Sequence, residues 1–592
     1  MAPPPGDAYY NLGTYARKVT TTSPAAQTWF TRGWQWAYSF NHEEALRCFE
    51  AAVEHDPKCA MAHWGIAYSL GPNYNKAWAF FDRADLATSI TKALCALTHA
   101  LELAKDPANK TTAAERALIT ALFPRFPRWS TSTDTPSETI PADNFPIDFA
   151  RLNQAYADAM RTAYREHPDD IDITALLIEA LMCISPRGLW NLTTGEPSGR
   201  HTVEARQLVE AAFATGREAQ HNPTLCHLYI HLMEMSPYPE IALPAADRLR
   251  RAAPDAAHLL HMPTHIDMAV GDYRRSVESN SDAIRADETY VAGCVAEGRT
   301  GAGVGGALYV AYRVHNICAK LYSALIAGQF AVSMEAVGQL EGLVTEETLR
   351  IKSPPVADWV ESFLGNRAHV LVRFGRWEEI LGLQEPQDQE LYCATYATVL
   401  YAKGIALSAL GKVEEAEAMQ RRFDEARGKV PVTRIASLPS KQVDVLAVGA
   451  KMLQGELEYR RGEVDQAFKT LARAAELEDD LPYGDPPPWM QPVRHALGGL
   501  LLEQGRVAEA ERVFREDLGM AEGFPRRKGR LNNVWGLHGL HECLVRQKKL
   551  DEARLIEPAR DLAMAAADVP IVTSCYCRLS AVEAGKCCEC GC

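Results

Sequence analysis

A two-helix pattern that returns along the chain limits its fold more than any other feature. The stretch "WFTRGWQWAYSFNHEEALRCFEAAVEHDP" carries Gly33, Trp36, Ala45, Phe49, Ala52 and Pro57. The small residues let two helices approach closely and the aromatic side chains fill the space between them. Pro57 stops the second helix because it has no N–H to donate. The same grammar returns in "KGIALSALGKVEEAEAM", in "LQGELEYRRGEVDQAFKTLARAAEL" and in "HALGGLLLEQGRVAEAERVFREDL". A pair of short helices cannot bury its apolar face alone, so repeated pairs must stack and share one core. Strand signals are scarce: most segments are rich in Ala, Leu, Glu and Arg at helical period, broken by Gly, Pro and Asp-Pro.

This spacing resembles the 34-residue tetratricopeptide repeat. The resemblance implies an all-α fold, a tetratricopeptide-like α-solenoid in which helix-turn-helix units wind into a right-handed superhelix. We place the solenoid at residues 26–570, after an N-terminal extension (1–25) and before a Cys-rich tail (571–592). Two segments interrupt it. Residues 124–147, "PRFPRWSTSTDTPSETIPADNFPI", read as a loop over the solenoid. Residues 291–307, "VAGCVAEGRTGAGVGGA", read as a Gly-rich insertion. The latter follows no strand and lacks a Walker lysine, so it is not a phosphate loop.

The net charge of −14 opposes a general nucleic-acid binder, which needs a basic surface for phosphates. No apolar run approaches a membrane span. The start, "MAPPPGDAYYNLG", has no basic stretch followed by an apolar one, so no secretory signal is expected. Cytoplasmic residence follows as an expectation, with most of the 15 cysteines reduced.

Against that background the histidines stand out. "HLYIH" places His227 and His231 four apart, and "HLLHMPTH" repeats the spacing at His261 and His265, 34 residues on. Registering each repeat by its small residues and prolines puts His227 and His231 at positions 5 and 9 of a unit that starts at Pro223. His258, His261 and His265 take positions 2, 5 and 9 of the next, and His315 and Cys318 take positions 2 and 5 of a later one. His495 and His538 fall at position 5 of distant units. In tetratricopeptide proteins these positions face the concave side. Seventeen histidines in 592 residues would not collect there by chance. The unit before Pro223 puts Glu179 at position 9.

Side chains at i and i+4 are about 5–6 Å apart at Cβ, and packed helices lie about 8–10 Å apart. Imidazoles from adjacent units can therefore converge with a carboxylate on one transition-metal ion. The candidate ligands are His227, His231, His258, His261, His265 and His315. Copper is favoured, then iron or zinc. His495 and His538 are left out of the set, and Cys318 reads as a small packed residue. The bland alternative is a row of hydrogen-bonded core histidines, or a concave array that takes a peptide carboxylate without metal.

The chain also resembles, over roughly residues 25–560, a group of bacterial and fungal tetratricopeptide proteins. The resemblance is carried by "MAHWGIAYSLGPNYN", "LCHLYIHLMEMSPYPEIALPAADRL", "HLLHMPTHI", "VHNICAKLYSA" and "PPPWMQPVRHALGGLLLEQGRVAEAERVFREDL". It implies one enclosed site that includes His42, Asn73, Asn75, His227, His231, His258, His261, His265, His315 and Asn316. The group pattern reads His-Asn-x-His where this chain has His315-Asn316-Ile317-Cys318, a departure that bears on coordination. Read on their own, His42 caps a helix, and Asn73 and Asn75 serve a turn after Gly71-Pro72.

The tail, "CYCRLSAVEAGKCCECGC", gathers Cys575, Cys577, Cys587, Cys588, Cys590 and Cys592, spacings that suit Cu(I) or Zn thiolate clusters. The alternative is an oxidation-prone tail without a role. Two classes of function follow. One is a metal-dependent oxidase or oxygenase acting on a small molecule, or with zinc a hydrolase with Glu179 as general base. The other is a scaffold that binds a peptide or protein in its groove. Phe30 and Trp34, at positions 5 and 9 of the first unit, are expected to line the concave face. No partner is expected among nucleic acids or membranes.

Overall fold

A computed structural model describes residues 9–127, 147–299, 301, 306–353 and 355–580. The described chain is a succession of helices, many of them packed on a neighbour in sequence. Among these residues the only strands are Ile435–Ser437 and Ser440–Lys441, a short antiparallel hairpin. The all-α solenoid expected from the sequence is what forms. None of the described helices is long and apolar enough to cross a membrane. The chain divides into two compact units. One comprises Met1–Asn191, Gly195–Ile266 and Asp282–Val310; the other comprises Leu192–Thr194, Asp267–Ser281 and Ala311–Cys592.

In the first unit the repeat grammar appears as close packing. Helix Pro24–Tyr38 is capped by Ser23, with Pro24 at the first helical position, where a missing N–H costs nothing. Asn41 caps the following helix, His42–His55, and accepts from Glu44 N. Phe49 of that helix lies against Gly33 of the first and Gly65 of the third, Ala60–Leu70. A Cβ at Gly33 would sit 2.8 Å from the Phe49 ring, and one at Gly65 2.5 Å from it. The device returns in the second unit, where Phe514 lies against Gly498 and Gly539 and Leu471 against Gly455. In each case the large residue follows its first glycine by sixteen positions. Gly65→Val should therefore wedge the second helix away from the third, at a cost of about 1–3 kcal/mol. Denaturant unfolding would show it, and an unchanged midpoint would contradict this packing.

Phe30 and Trp34 do not line an open face. Both are buried: Phe30 is 5.3 Å from the Phe49 ring and 5.5 Å from Trp34. Adjacent aromatic residues on one short helix close over their own unit and fill it.

The N-terminal extension packs on the first unit. Arg17 pairs with Asp170 and Asp172 at 2.8 Å, and Thr20 bonds to Glu115. The Gly-rich insertion begins later than its composition implies. Helix Tyr273–Ala296 runs through residues 291–296, since those residues hold only one glycine, Gly293. Within the 124–147 loop, residues 128–146 lie outside the described residues.

The tail also differs from expectation. Small residues and Cys predict a segment separable from residue 571 on. Instead Ile571, Thr573, Ser574, Cys577 and Arg578 are buried. Arg373 donates to the Ser574 carbonyl and Arg460 to that of Cys577, while Arg578 forms a two-point pair with Glu542. Cys575 and Cys577 are joined in a disulfide, so in this form neither offers a thiolate to a metal. Cys587, Cys588, Cys590 and Cys592 lie outside the described residues.

Candidate metal centre

Helix Pro223–Met233 opens on Asn222, whose side chain accepts from Leu225 N at 2.9 Å. Every residue from Thr224 to Met233 is buried, so the helix runs through the interior of the first unit. His227 and His231 follow one another by a turn, with ring centroids 5.0 Å apart. The second pair is arranged differently from the single helix expected. Helix Ala257–His261 ends, and Pro263 opens a new one, Pro263–Val270, because proline supplies no N–H to continue the first. The imidazoles meet across this joint all the same: His261 Nε2 is 3.0 Å from His265 Nε2. His258 Nε2 is 3.2 Å from His227 Nε2.

All five rings are buried, His227 and His261 completely. The outer nitrogens of three of them are held. His227 Nδ1 donates to the Tyr38 carbonyl at 2.9 Å. His231 Nδ1 donates to Glu234 Oε1 at 2.9 Å, and His265 Nδ1 to Glu234 Oε2. A ring that donates from Nδ1 turns a lone pair outward at Nε2, the form in which imidazole binds a metal. His231 Nε2 has no hydrogen-bond partner among the described residues. Such a buried orphan costs about 1–3 kcal/mol unless something else satisfies it. Metal bonds of about 2.0–2.1 Å in a tetrahedron put ligand nitrogens roughly 3.3 Å apart, close to the two Nε2–Nε2 distances seen. The ligand atoms of His227, His231 and His258 lie within 4.8 Å of one another, as do those of His231, Glu234 and His265.

Glu234 was not among the residues singled out from the sequence. It caps the C-terminal end of helix Pro223–Met233, where the helix dipole disfavours a carboxylate. Burial also pushes its carboxyl up, but His265 and His231 more than offset this and hold it well below the usual range. Its spacing three residues after His231 was the available signal. Phe40 was missed as well. Its φ of 56° is left-handed, a conformation costing a bulky residue about 1–2 kcal/mol. Its ring lies 4.5 Å from His227 and stacks on His258 at 5.5 Å. Tyr74 packs 4.7 Å from His231.

The remaining candidates are placed as follows. Asn75 Nδ2 is 3.4 Å from His258 Nε2, and its Oδ1 accepts from Arg187. Asn73 does turn chemistry: its Oδ1 accepts from the backbone N–H groups of Asn75 and Lys76. His42 is the first residue of its helix and its Nδ1 donates to the Ser69 carbonyl at 3.1 Å. Glu179 is buried in the first unit, but its partner is Tyr68, which donates to Oε2, rather than one of the five imidazoles. His315 and Asn316 belong to the second unit, on helix Ala307–Ile326, where His315 Nε2 lies 3.9 Å from Asp485 Oδ2. Cys318 is buried there beside Asn366. His495, also in the second unit, is bonded to Asp517 at 2.9 Å. Burial lowers the pKa of His538.

Burial lowers His231 from 6.5 to about 4 despite its bond to Glu234, His42 to about 3, and His227 well below 6.5. These rings are neutral at pH 7. Their folded values lie below the unfolded one, so their neutral-state stability is complete above about pH 6.5 and is lost as pH falls toward 4. Each group adds about 1.4 kcal/mol per pH unit in that window. Metal-free protein, melted in chelator across pH 8 to 4.5, should show a flat midpoint above 7 and a steep fall below 6.5. A flat profile down to pH 5 would contradict the buried neutral rings.

Residues 26–59 match the family model described as "Tetratricopeptide repeat". No curated protein matches the chain. Among solved structures, a monomeric IFIT1 mutant with Gppp-AAAA is similar at 12% identity and TM-score 0.34, over 90% of this chain and 99% of that one. Yeast Tom70 is similar at 11% identity and TM-score 0.29, over 88% and 96%. The P58(IPK) TPR domain is similar at 13% identity and TM-score 0.17, over 83% and 98%. The first hairpin of the chain is thus a tetratricopeptide repeat, and its glycine-against-aromatic packing returns around Phe514.

Proposed function

We infer that this chain is a tetratricopeptide scaffold with a transition-metal centre built into its first unit. His227, His231, His258, His261 and His265 are its ligands, and Glu234 holds two of them. One observation carries the reading. Glu234 accepts hydrogen bonds from Nδ1–H of His231 and His265 on its two oxygens, leaving both Nε2 atoms in the form that donates to a metal. A carboxylate that fixes ligand imidazoles in this way is common behind metal sites and raises the basicity of the rings. Imidazole donors suit copper, iron or zinc, and we favour copper, then iron. When bound, copper or iron would supply dioxygen activation, and the chain would act as an oxidase or oxygenase on a small molecule. With zinc it would be a hydrolase. Glu179 does not fit the base of that mechanism as well, because Tyr68 already donates to it.

The repeat itself favours a second role, binding a peptide or protein partner, the usual work of tetratricopeptide arrays. The two readings separate by experiment. Protein stripped with chelator is titrated with Cu(II), Fe(II) and Zn(II), and bound metal is counted by plasma mass spectrometry. Stoichiometric uptake supports the centre. A chain that takes up none of the three, yet captures a peptide, is a scaffold alone.

A further inference from the structure

A second polar cluster lies in the first unit and needs no metal. Six side chains there, each at least nine-tenths buried, have a polar atom without a hydrogen-bond partner among the described residues: His42 Nε2, Ser69 Oγ, Asn73 Nδ2, Arg125 Nη1, Tyr156 OH and Glu179 Oε1. They are neighbours. The Arg125 guanidinium lies 4.5 Å over the Tyr156 ring and 5.4 Å from that of Tyr68. Tyr68 donates to Glu179 and packs 5.5 Å from His42. His42 holds the carbonyl of Ser69, and Arg125 that of Pro72, next to Asn73.

The donors and acceptors fall into two kinds. Arg125, Tyr156, Ser69 and Asn73 offer N–H or O–H groups, which a carboxylate would take. Glu179 Oε1 accepts, and so does His42 Nε2, since Nδ1 of that ring carries the proton. These two suit an ammonium group. Arg125 and Glu179 do not bond to each other: Arg125 Nη2 goes to Pro72, and Glu179 Oε2 to Tyr68. Each feels the other's charge without bonding to it, and a buried ion pair repays its desolvation only when its remaining hydrogen-bond positions are filled. Ordered water could answer the neutral groups, but it brings no charge to the other two.

The geometry points to a binding site for a small zwitterion of the α-amino-acid type, its carboxylate on Arg125 and Tyr156 and its ammonium on Glu179 and His42. Such a ligand satisfies both charges and adds none. The segment Gly71–Asn75 borders both clusters: Asn73 belongs to this one, and Tyr74 packs on His231. The site stands whether or not the imidazoles hold a metal.

The test is calorimetric titration of the full chain, metal-free and metal-loaded, with glycine, L-alanine and L-serine, and with acetate and methylamine as half-ligands. At least one amino acid should bind in both forms, at least tenfold tighter than acetate or methylamine. Tyr156→Phe and Glu179→Gln each remove one contact with little change of shape. Both should weaken binding at least tenfold with an unchanged circular dichroism spectrum and unchanged metal content. No binding of any of the three amino acids at 10 mM overturns the proposal, as does acetate binding as tightly as the amino acids. Binding that needs metal and survives both substitutions puts the ligand at the imidazoles and also overturns it. Amino-acid binding by a chain that takes up no metal would uphold this site while removing the metal centre.

Discussion

His231→Ala is expected to give a folded protein that has lost its metal. The residue lies in the last turn of its helix, and alanine is the best helix former. Its Nε2 has no hydrogen-bond partner among the described residues, so removing the ring deletes an unsatisfied atom. It also strips one donor from Glu234 Oε1 and opens space beside Phe40 and Tyr74. These losses should cost the metal-free protein about 2 kcal/mol. Metal affinity should fall further, because one imidazole goes and the carboxylate that orients His265 is freed. Replacing only that carboxylate, as Glu234→Gln, should weaken affinity by about 10–100-fold. His538→Ala, in the second unit, should leave metal content unchanged. If His231→Ala retains full occupancy, the cluster binds metal through other groups.

Truncation after Val569 is expected to destabilise the second unit severely. It removes the carbonyl partners of Arg373 and Arg460 and the Arg578 pair with Glu542. Arg373 then keeps His495 Nδ1 and the face of Trp535, at 3.8 Å, as its neighbours. Burial already lowers its pKa to about 9. Breaking a buried charged network of this kind costs about 3–5 kcal/mol, or about 10 °C of melting temperature in a unit of this size. Scanning calorimetry of the truncated chain would show it. A transition within a degree of the full-length protein would mean that the segment is a passive tail.

The repeat was readable because its signal is steric: a glycine and a large residue at fixed separation have few alternatives when two helices touch. The histidine pairs were readable for the same reason, since a helical period places them on one face. Other features left weaker traces. Glu234 is a single acidic residue at a helix end, and only its contact with two rings, one from another helix, distinguishes it. Phe40 reads as an ordinary turn aromatic until its left-handed backbone is seen. The joint at Pro263 was visible in the sequence, yet two nearly continuous helices deliver the same pair of imidazoles. The tail is anchored through the carbonyls of Ser574 and Cys577, groups that every residue carries and no sequence pattern reveals. Phe30 and Trp34 were assigned to the groove by register alone, whereas packing on Phe49 decided their burial.

The central claim is that the five imidazoles of the first unit share a metal through Nε2. X-ray absorption at the metal edge, on protein loaded to stoichiometry and then freed of excess ion, tests it most directly. The account predicts three or more imidazole nitrogens at about 2.0–2.1 Å, with that shell diminished in His231→Ala. A spectrum of oxygen or sulfur donors alone, or a protein that takes up no copper, iron or zinc, would contradict it.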